Sequence, residues 1–180
     1  MAQVQEDSAK RHTAQQNGSN AGVPAVLPNG SNVPDPNSTT GVMMSPVGNL
    51  SDVAAAGQSA GAEFRDLLQS APQAAGQFEV ASFGAAVGTG GKFDYQRSGN
   101  QILGLLHLHS FKHHPQFRDV SNFNVGLFAQ KFGLSLQETL TMTGHYAHMF
   151  SSNAAPSQPY GLDPRVTQFV TAGYSAGASY

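Results

Sequence analysis

Four of the seven histidines in this 180-residue chain fall within eight residues, HLHSFKHH at 107–114. Two imidazoles can share one ion whether the segment is a strand, which pairs His107 with His109, or a helix, which pairs His109 with His113. A durable site wants a third ligand. No Glu stands between these histidines as it does in a zincin helix, and the nearest carboxylates in sequence are Asp94 and Asp119. The stretch therefore reads as a solvated, weakly basic loop entered by an apolar segment, and His107, His109, His113 and His114 are not expected to form the essential site.

Three other stretches hold a better set of reactive types: GGKFDYQR (90–97), QFRDVSNFNVG (116–126) and QPYGLDPR (158–165). Each places an Asp beside Gly, aromatic and amide side chains. A carboxylate can act as base or metal ligand, an Asn can orient substrate or water, and Tyr or Lys can stabilise developing charge. The plainer role for Asp and Asn at loop ends and helix starts is capping, and it weighs most for Asp163. The expectation is that Asp94 and Asp119 meet in one cleft, with Tyr95, Asn122 and Asn124 beside them, within the ~10 Å spanned by paired catalytic carboxylates.

The elements that must position these residues follow from periodicity. AEFRDLLQSA repeats Phe64, Leu67, Leu68 and Ala71 at helical spacing and stops at Pro72, predicting a short helix. FEVASFGAAVG (78–88) reads as a strand or hairpin arm running into a turn, followed by the exposed loop GTGGKFDYQRSGN with two embedded aromatics. QILGLLHLHSF (101–111) is open between strand and helix, leaning to strand. NFNVGLFAQKFG predicts a helix stopping at Gly133, with Asp119 or Ser121 as its cap. Ser135 and Glu138 form a capping box ahead of a helix carrying Leu136, Leu140, Gly144, Ala147 and Phe150. Asp163 as cap and Pro164 at the first helical position open the last helix, which turns Val166, Phe169 and Val170 inward.

Composition sets the limits. Residues 1–60 contain no aromatic side chain, so they are expected to form a disordered tail that cannot offset the entropy of ordering. The expected fold is α+β, mainly α-helical, as a single compact domain over residues 61–180. Net charge is −2, with residues 91–180 at +2 from six bases against four acids. Binding to an anionic polymer is permitted by that half, not demanded. The chain has no cysteine, which excludes disulfides and thiolate chemistry. The N-terminus shows no conventional signal peptide, and no stretch approaches the ~20 apolar residues of a transmembrane segment.

In order and spacing, the three stretches resemble the polymorphic toxin type 44 domain of bacteria. Gly90, Gly91, Phe93, Asp94 and Tyr95 match its first element. Asp119, Asn122, Phe123, Asn124 and Gly126 match the second, which is the most specific, and Pro159, Tyr160, Gly161, Asp163 and Pro164 match the last. The resemblance covers residues 90–175. It implies a toxic module deployed against competing bacteria, delivered by a specialised secretion apparatus and neutralised by a cognate immunity protein. It also implies that the shared chemistry rests on Lys92, Asp94, Tyr95, Arg118, Asp119, Asn122, Asn124, Tyr160 and Asp163, and that HLHSFKHH is a local elaboration.

Three functions compete. In a hydrolase acting on nucleic acid, Lys92 and Arg118 meet phosphates while Asp94 or Asp119 serves as base or ligand to a divalent cation. In a peptidoglycan hydrolase, two carboxylates flank a glycosidic bond. The third is a non-enzymatic binding or secretion-adaptor domain, in which no cleft joins the three stretches.

Overall fold

A computed structural model describes residues 22–98, 112–150 and 154–180. Two short antiparallel pairs, β1 (Val23–Pro24) with β2 (Met44–Ser45) and β3 (Arg97–Ser98) with β4 (Lys112–His113), accompany five α-helices among these residues. The helices are α1 (Ser51–Ser70), α2 (Pro72–Ala86), α3 (Arg118–Phe132), α4 (Leu136–Phe150) and α5 (Pro164–Ala178). The expected mainly helical fold with minor strand is what forms.

Helix α3 is the hub. A solvent-facing helix buries one stripe, but α3 buries side chains on every side, including the polar Asp119, Ser121, Asn122 and Asn124. Helix α5 crosses it so closely that a Cβ on Gly126 would overlap the Val170 carbonyl, and one on Gly173 would overlap the carbonyl of Phe123. Helix α1 uses the same device, with Gly57 and Gly61 seated on the carbonyls of Phe128 and Phe132. Around this hub Phe83 stands edge-on to Phe128 and Phe132, with ring centroids 4.9 and 5.1 Å apart, and Phe64 reaches Phe132 at 5.1 Å.

The N-terminal boundary differs from the expected one. Residues 1–21 lie outside the described residues, but 22–60 belong to the fold, so the disorder expected over residues 1–60 does not hold for 22–60. Ala25, Leu27, Val33, Met43 and Leu50 are all buried in the main core. The segment pairs its own backbone: Ala25 N–H donates to the Met43 carbonyl at 2.8 Å, Val33 to Ala25 at 2.9 Å and Met43 to Val33 at 2.9 Å. Small apolar side chains suffice here because α1 and α3 supply the bulk they cover. Absence of aromatics was too strict a test of order.

Residues 78–88 also correct the expected strand, since they lie mostly in α2. Pro72 occupies its first turn, where a missing N–H is harmless. Ala75, Phe83 and Ala86 fall on one helical face and are buried, and Val80 is the only β-branched residue between Phe78 and Ala86. The helix foreseen before Pro72 is longer than expected and begins at Ser51.

The cap of α3 is neither Asp119 nor Ser121. A 3₁₀ turn at Pro115–Phe117 runs directly into it, and no side chain caps the end. Ser121 Oγ donates instead to the Phe117 carbonyl at 2.9 Å. The other expected signals hold. Gly133 closes α3 at φ 108°. Glu138 N–H donates to Ser135 Oγ at 3.2 Å while Ser135 N–H donates to Glu138 Oε2 at 2.8 Å. Asp163 Oδ1 accepts from Arg165 N–H at 2.8 Å. Phe150 departs from the expected packed stripe of α4 and is exposed. The segment 101–111, with His107 and His109, lies outside the described residues.

Candidate functional site

After α2 the chain doubles back. Lys92 N–H donates to the Ala85 carbonyl at 2.8 Å and Phe93 N–H to Ala86 at 2.7 Å, while Phe93 and Tyr95 sink into the core. Two side chains of α3 hold this loop. Asn124 Nδ2 donates to the Phe93 carbonyl at 3.0 Å, and Ser121 Oγ accepts from Gln96 N–H at 2.9 Å. The second stretch thus anchors the first.

Asp94, between the two sunken aromatics, is 2 % exposed. Gly90 N–H reaches its Oδ2 at 2.7 Å and Arg97 Nη1 reaches the same oxygen at 2.8 Å. Both bonds fall on Oδ2, so among the described residues Oδ1 keeps its acceptor capacity.

A cavity of about 60 Å³ opens beside this carboxylate, room for about two waters. All three stretches reach it: Asp94, Gln96 and Arg97 from the first, Ser121, Asn122 and Val125 from the second, and Leu162 from the third. Helix α4 closes it with Thr143, Tyr146 and Ala147. Two donors matter. The Asn122 amide nitrogen is buried with no hydrogen-bond partner among the described residues. A buried amide donor without an acceptor loses about 1–3 kcal/mol, so a ligand atom that accepted from it would recover that loss. The Tyr146 hydroxyl accepts from Thr89 N–H at 2.6 Å and retains its own proton to donate.

The expected pair of carboxylates does not share the cavity. Asp119 is not among its lining residues. Arg165 holds it in a fork, Nε to Oδ1 at 2.8 Å and Nη2 to Oδ2 at 2.6 Å. Hydrogen bonding to Asp119 is the chief reason that the Arg165 guanidinium titrates above its ordinary range. Tyr95 is a core residue and Asn124 a tether. Lys92 lies over the Phe93 ring, Nζ 5.0 Å from its centroid. Arg118 approaches Asp163 at 3.7 Å, and Tyr160 lines a separate groove. Of the residues singled out in the sequence, Asp94 and Asn122 meet at the cavity.

The sequence reading passed over Arg97, Ser121 as a tether, Thr143 and Tyr146. Arg97 stands three residues from Asp94 in DYQR, a visible signal. Tyr146 gave none, because only the packing of α4 brings it to the loop. Among the described residues, no three His, Asp or Glu side chains gather to hold a metal ion. His113 is exposed, while His114 is buried and its backbone N–H donates to the Gln96 carbonyl at 2.7 Å. No protein-family model, curated protein or solved structure matches the chain.

Proposed function

We propose that this chain is the toxic domain of an antibacterial effector, a hydrolase acting on nucleic acid in a competing cell, with Asp94 as its base. The observation that supports this is the convergence of the three toxin-like stretches on one cavity of mixed polar and apolar lining beside a buried carboxylate. Asp94 Oδ1 accepts a proton from a water whose oxygen adds to phosphorus. The cavity takes the attacking water and one phosphoryl oxygen, which accepts from the Asn122 amide and the remaining Arg97 N–H groups while the rest of the phosphodiester stays at its mouth. The Tyr146 hydroxyl protonates the oxygen that departs as the ester bond breaks. A secretion apparatus component and an immunity protein are the implied partners, the latter covering the cavity mouth.

One observation favours a second reading, peptidoglycan hydrolysis. With residues 22–60 inside the fold, residues 22–180 carry seven bases against nine acids, so the domain lacks the net positive charge that steers proteins to polyanions. That reading in turn lacks a second carboxylate at the cavity. Expression of the full chain in bacteria, targeted either to cytosol or to periplasm, separates the two. Cytosolic killing with nucleic-acid loss, abolished by Asp94→Asn, is the expected result. Lysis from the periplasm alone establishes the wall reading, and no toxicity in either compartment leaves a binding domain.

A further inference from the structure

Helix α4 has a second working face. Thr143, Tyr146 and Ala147 look into the cavity, while Thr141, Gly144, His145 and His148 lie on the opposite side. There they form, with Pro156, Tyr160 and Gly161, a groove of about 300 Å³. Its residues sit oddly for a purely structural role. Tyr160 has φ 58° and ψ 8°, the only positive φ at a non-glycine residue among the described residues. The left-handed backbone costs a side-chain-bearing residue about 1–2 kcal/mol that Gly or Asn largely avoids. Burial does not compensate, because Tyr160 is 44 % exposed. Its backbone is nonetheless firmly seated: Gly144 provides the gap for the Tyr160 carbonyl, which a Cβ would overlap. A strained but anchored backbone thus holds an aromatic face toward solvent.

Two exposed imidazoles line the same groove. His145 and His148 are three residues apart on a helix, a spacing that sets Cβ atoms about 5–6 Å apart and lets both side chains reach one anionic group. The Thr141 hydroxyl lies on the same face, and no carboxylate lines the groove among the described residues. This patch therefore differs from the acidic balance of the whole fold. It offers a planar ring for stacking and neutral or cationic donors beside it, and no opposing charge. A base with its phosphate has that pattern. The groove and the cavity lie on two sides of one helix, about 10 Å across with its side chains; a mononucleotide cannot fill both, whereas a strand can.

We infer that the groove is a second subsite for single-stranded nucleic acid, stacking one base on Tyr160 and receiving a phosphate between His145 and His148. This rests on the nucleic-acid reading above and names the form of the substrate. The test is fluorescence anisotropy with the full chain and a labelled oligodeoxythymidylate of about 10 nucleotides, within the range of single-strand sites. Tyr160→Asn keeps a residue that tolerates the left-handed backbone and removes the ring, and should weaken binding about tenfold, while Tyr160→Phe stays within about twofold. The double change His145→Gln, His148→Gln should also weaken binding.

Wild-type affinity in Tyr160→Asn overturns the subsite. So does Tyr160-dependent binding of chitooligosaccharide with none of the oligonucleotide. Failure of the subsite remains distinct from failure of the functional reading. If Asp94→Asn abolishes cleavage while Tyr160→Asn binds like wild type, only the subsite falls. If oligonucleotide binding depends on Tyr160 while Asp94→Asn cleaves normally, the subsite stands and the assignment of the base falls.

Discussion

Asp94 and Asp119 are buried aspartates on stretches of similar composition, each paired with an arginine, yet the two regions use the pair differently. Arg97 lies three residues from Asp94 and bonds one oxygen of it. Arg165 lies 46 residues from Asp119 and occupies both oxygens. The fork joins the starts of α3 and α5 and engages both oxygens of Asp119, which does not line the cavity. The local pair, with Gly90 N–H, fixes Asp94 through one oxygen, and the residue lines the cavity. Residue type and motif context do not separate a clamp from a reactive group; each carboxylate accepts two bonds, and what differs is whether they fall on one oxygen or on both, and whether the residue lines a cavity.

The largest effect should come from testing that difference directly. Asp94→Asn removes the base and should lower activity about 10³-fold, within the range of general acid–base contributions. Asp119→Asn should keep activity per folded molecule close to wild type. Turnover assays on purified protein, with circular dichroism to confirm folding, check both. Equal losses in two folded variants would break the comparison and return Asp119 to the chemistry.

Next in size is the ground on which the Asp119 clamp stands. Gly126→Ala sets a methyl into the Val170 carbonyl, where backbone rather than a flexible side chain must yield. A destabilisation of about 3 kcal/mol or more is expected, at the upper end for overpacking. Urea denaturation measures it. A loss below about 1 kcal/mol would mean that α3 and α5 slide apart freely and that the fork, not the glycine contact, sets their spacing.

Much of this was legible in the sequence where the signal is local. The Ser135–Glu138 box, the Asp163–Pro164 start and the Gly133 stop depend on residues a few positions apart, and each forms as expected. That the first two stretches would meet was expected from their pattern, and Asp94 and Asn122 do line one cavity, but the expected pairing of Asp94 with Asp119 there does not form. What was not legible depends on distance. Asp119 could be a cap, a ligand or a clamp until Arg165 arrives from another helix, and Tyr146 joins the cavity only through tertiary packing. Residues 22–60 looked unfoldable because their core contacts lie elsewhere in the chain.

Asn124 couples the two regions, since it belongs to the clamp's helix and holds the loop of Asp94. Asn124→Ala leaves the buried Phe93 carbonyl without its donor and should cost about 1–3 kcal/mol. Activity should fall with it, because Asp94 is next to Phe93. Full activity at reduced stability would show that the Gln96–Ser121 tether positions the carboxylate alone. Asp119→Asn should cost less, about 1–2 kcal/mol, below the 3–5 kcal/mol typical of a broken buried pair because Arg165 is half exposed.

The smallest effect concerns acid. His114 is buried beside the cavity loop, with its ring centroid 6.3 Å from that of Phe117. Desolvation lowers its pKa, and the charges of Lys112 and His113 lower it further. Because the unfolded imidazole then binds a proton more readily than the folded one, stability from neutral His114 is complete above the ordinary value near 6.5 and declines as pH falls below it. The wild type should therefore lose thermal stability between about pH 7 and 5 more steeply than His114→Gln, with His145→Gln as the exposed control. The His114 backbone N–H, on the residue whose ring takes up the proton, donates to the Gln96 carbonyl, so acid should loosen the Asp94 loop before it touches the Asp119 fork. Hydrogen exchange at pH 5 should then rise first around residues 94–97 and 112–114. Equal protection in the two regions at that pH would show that His114 does not separate them.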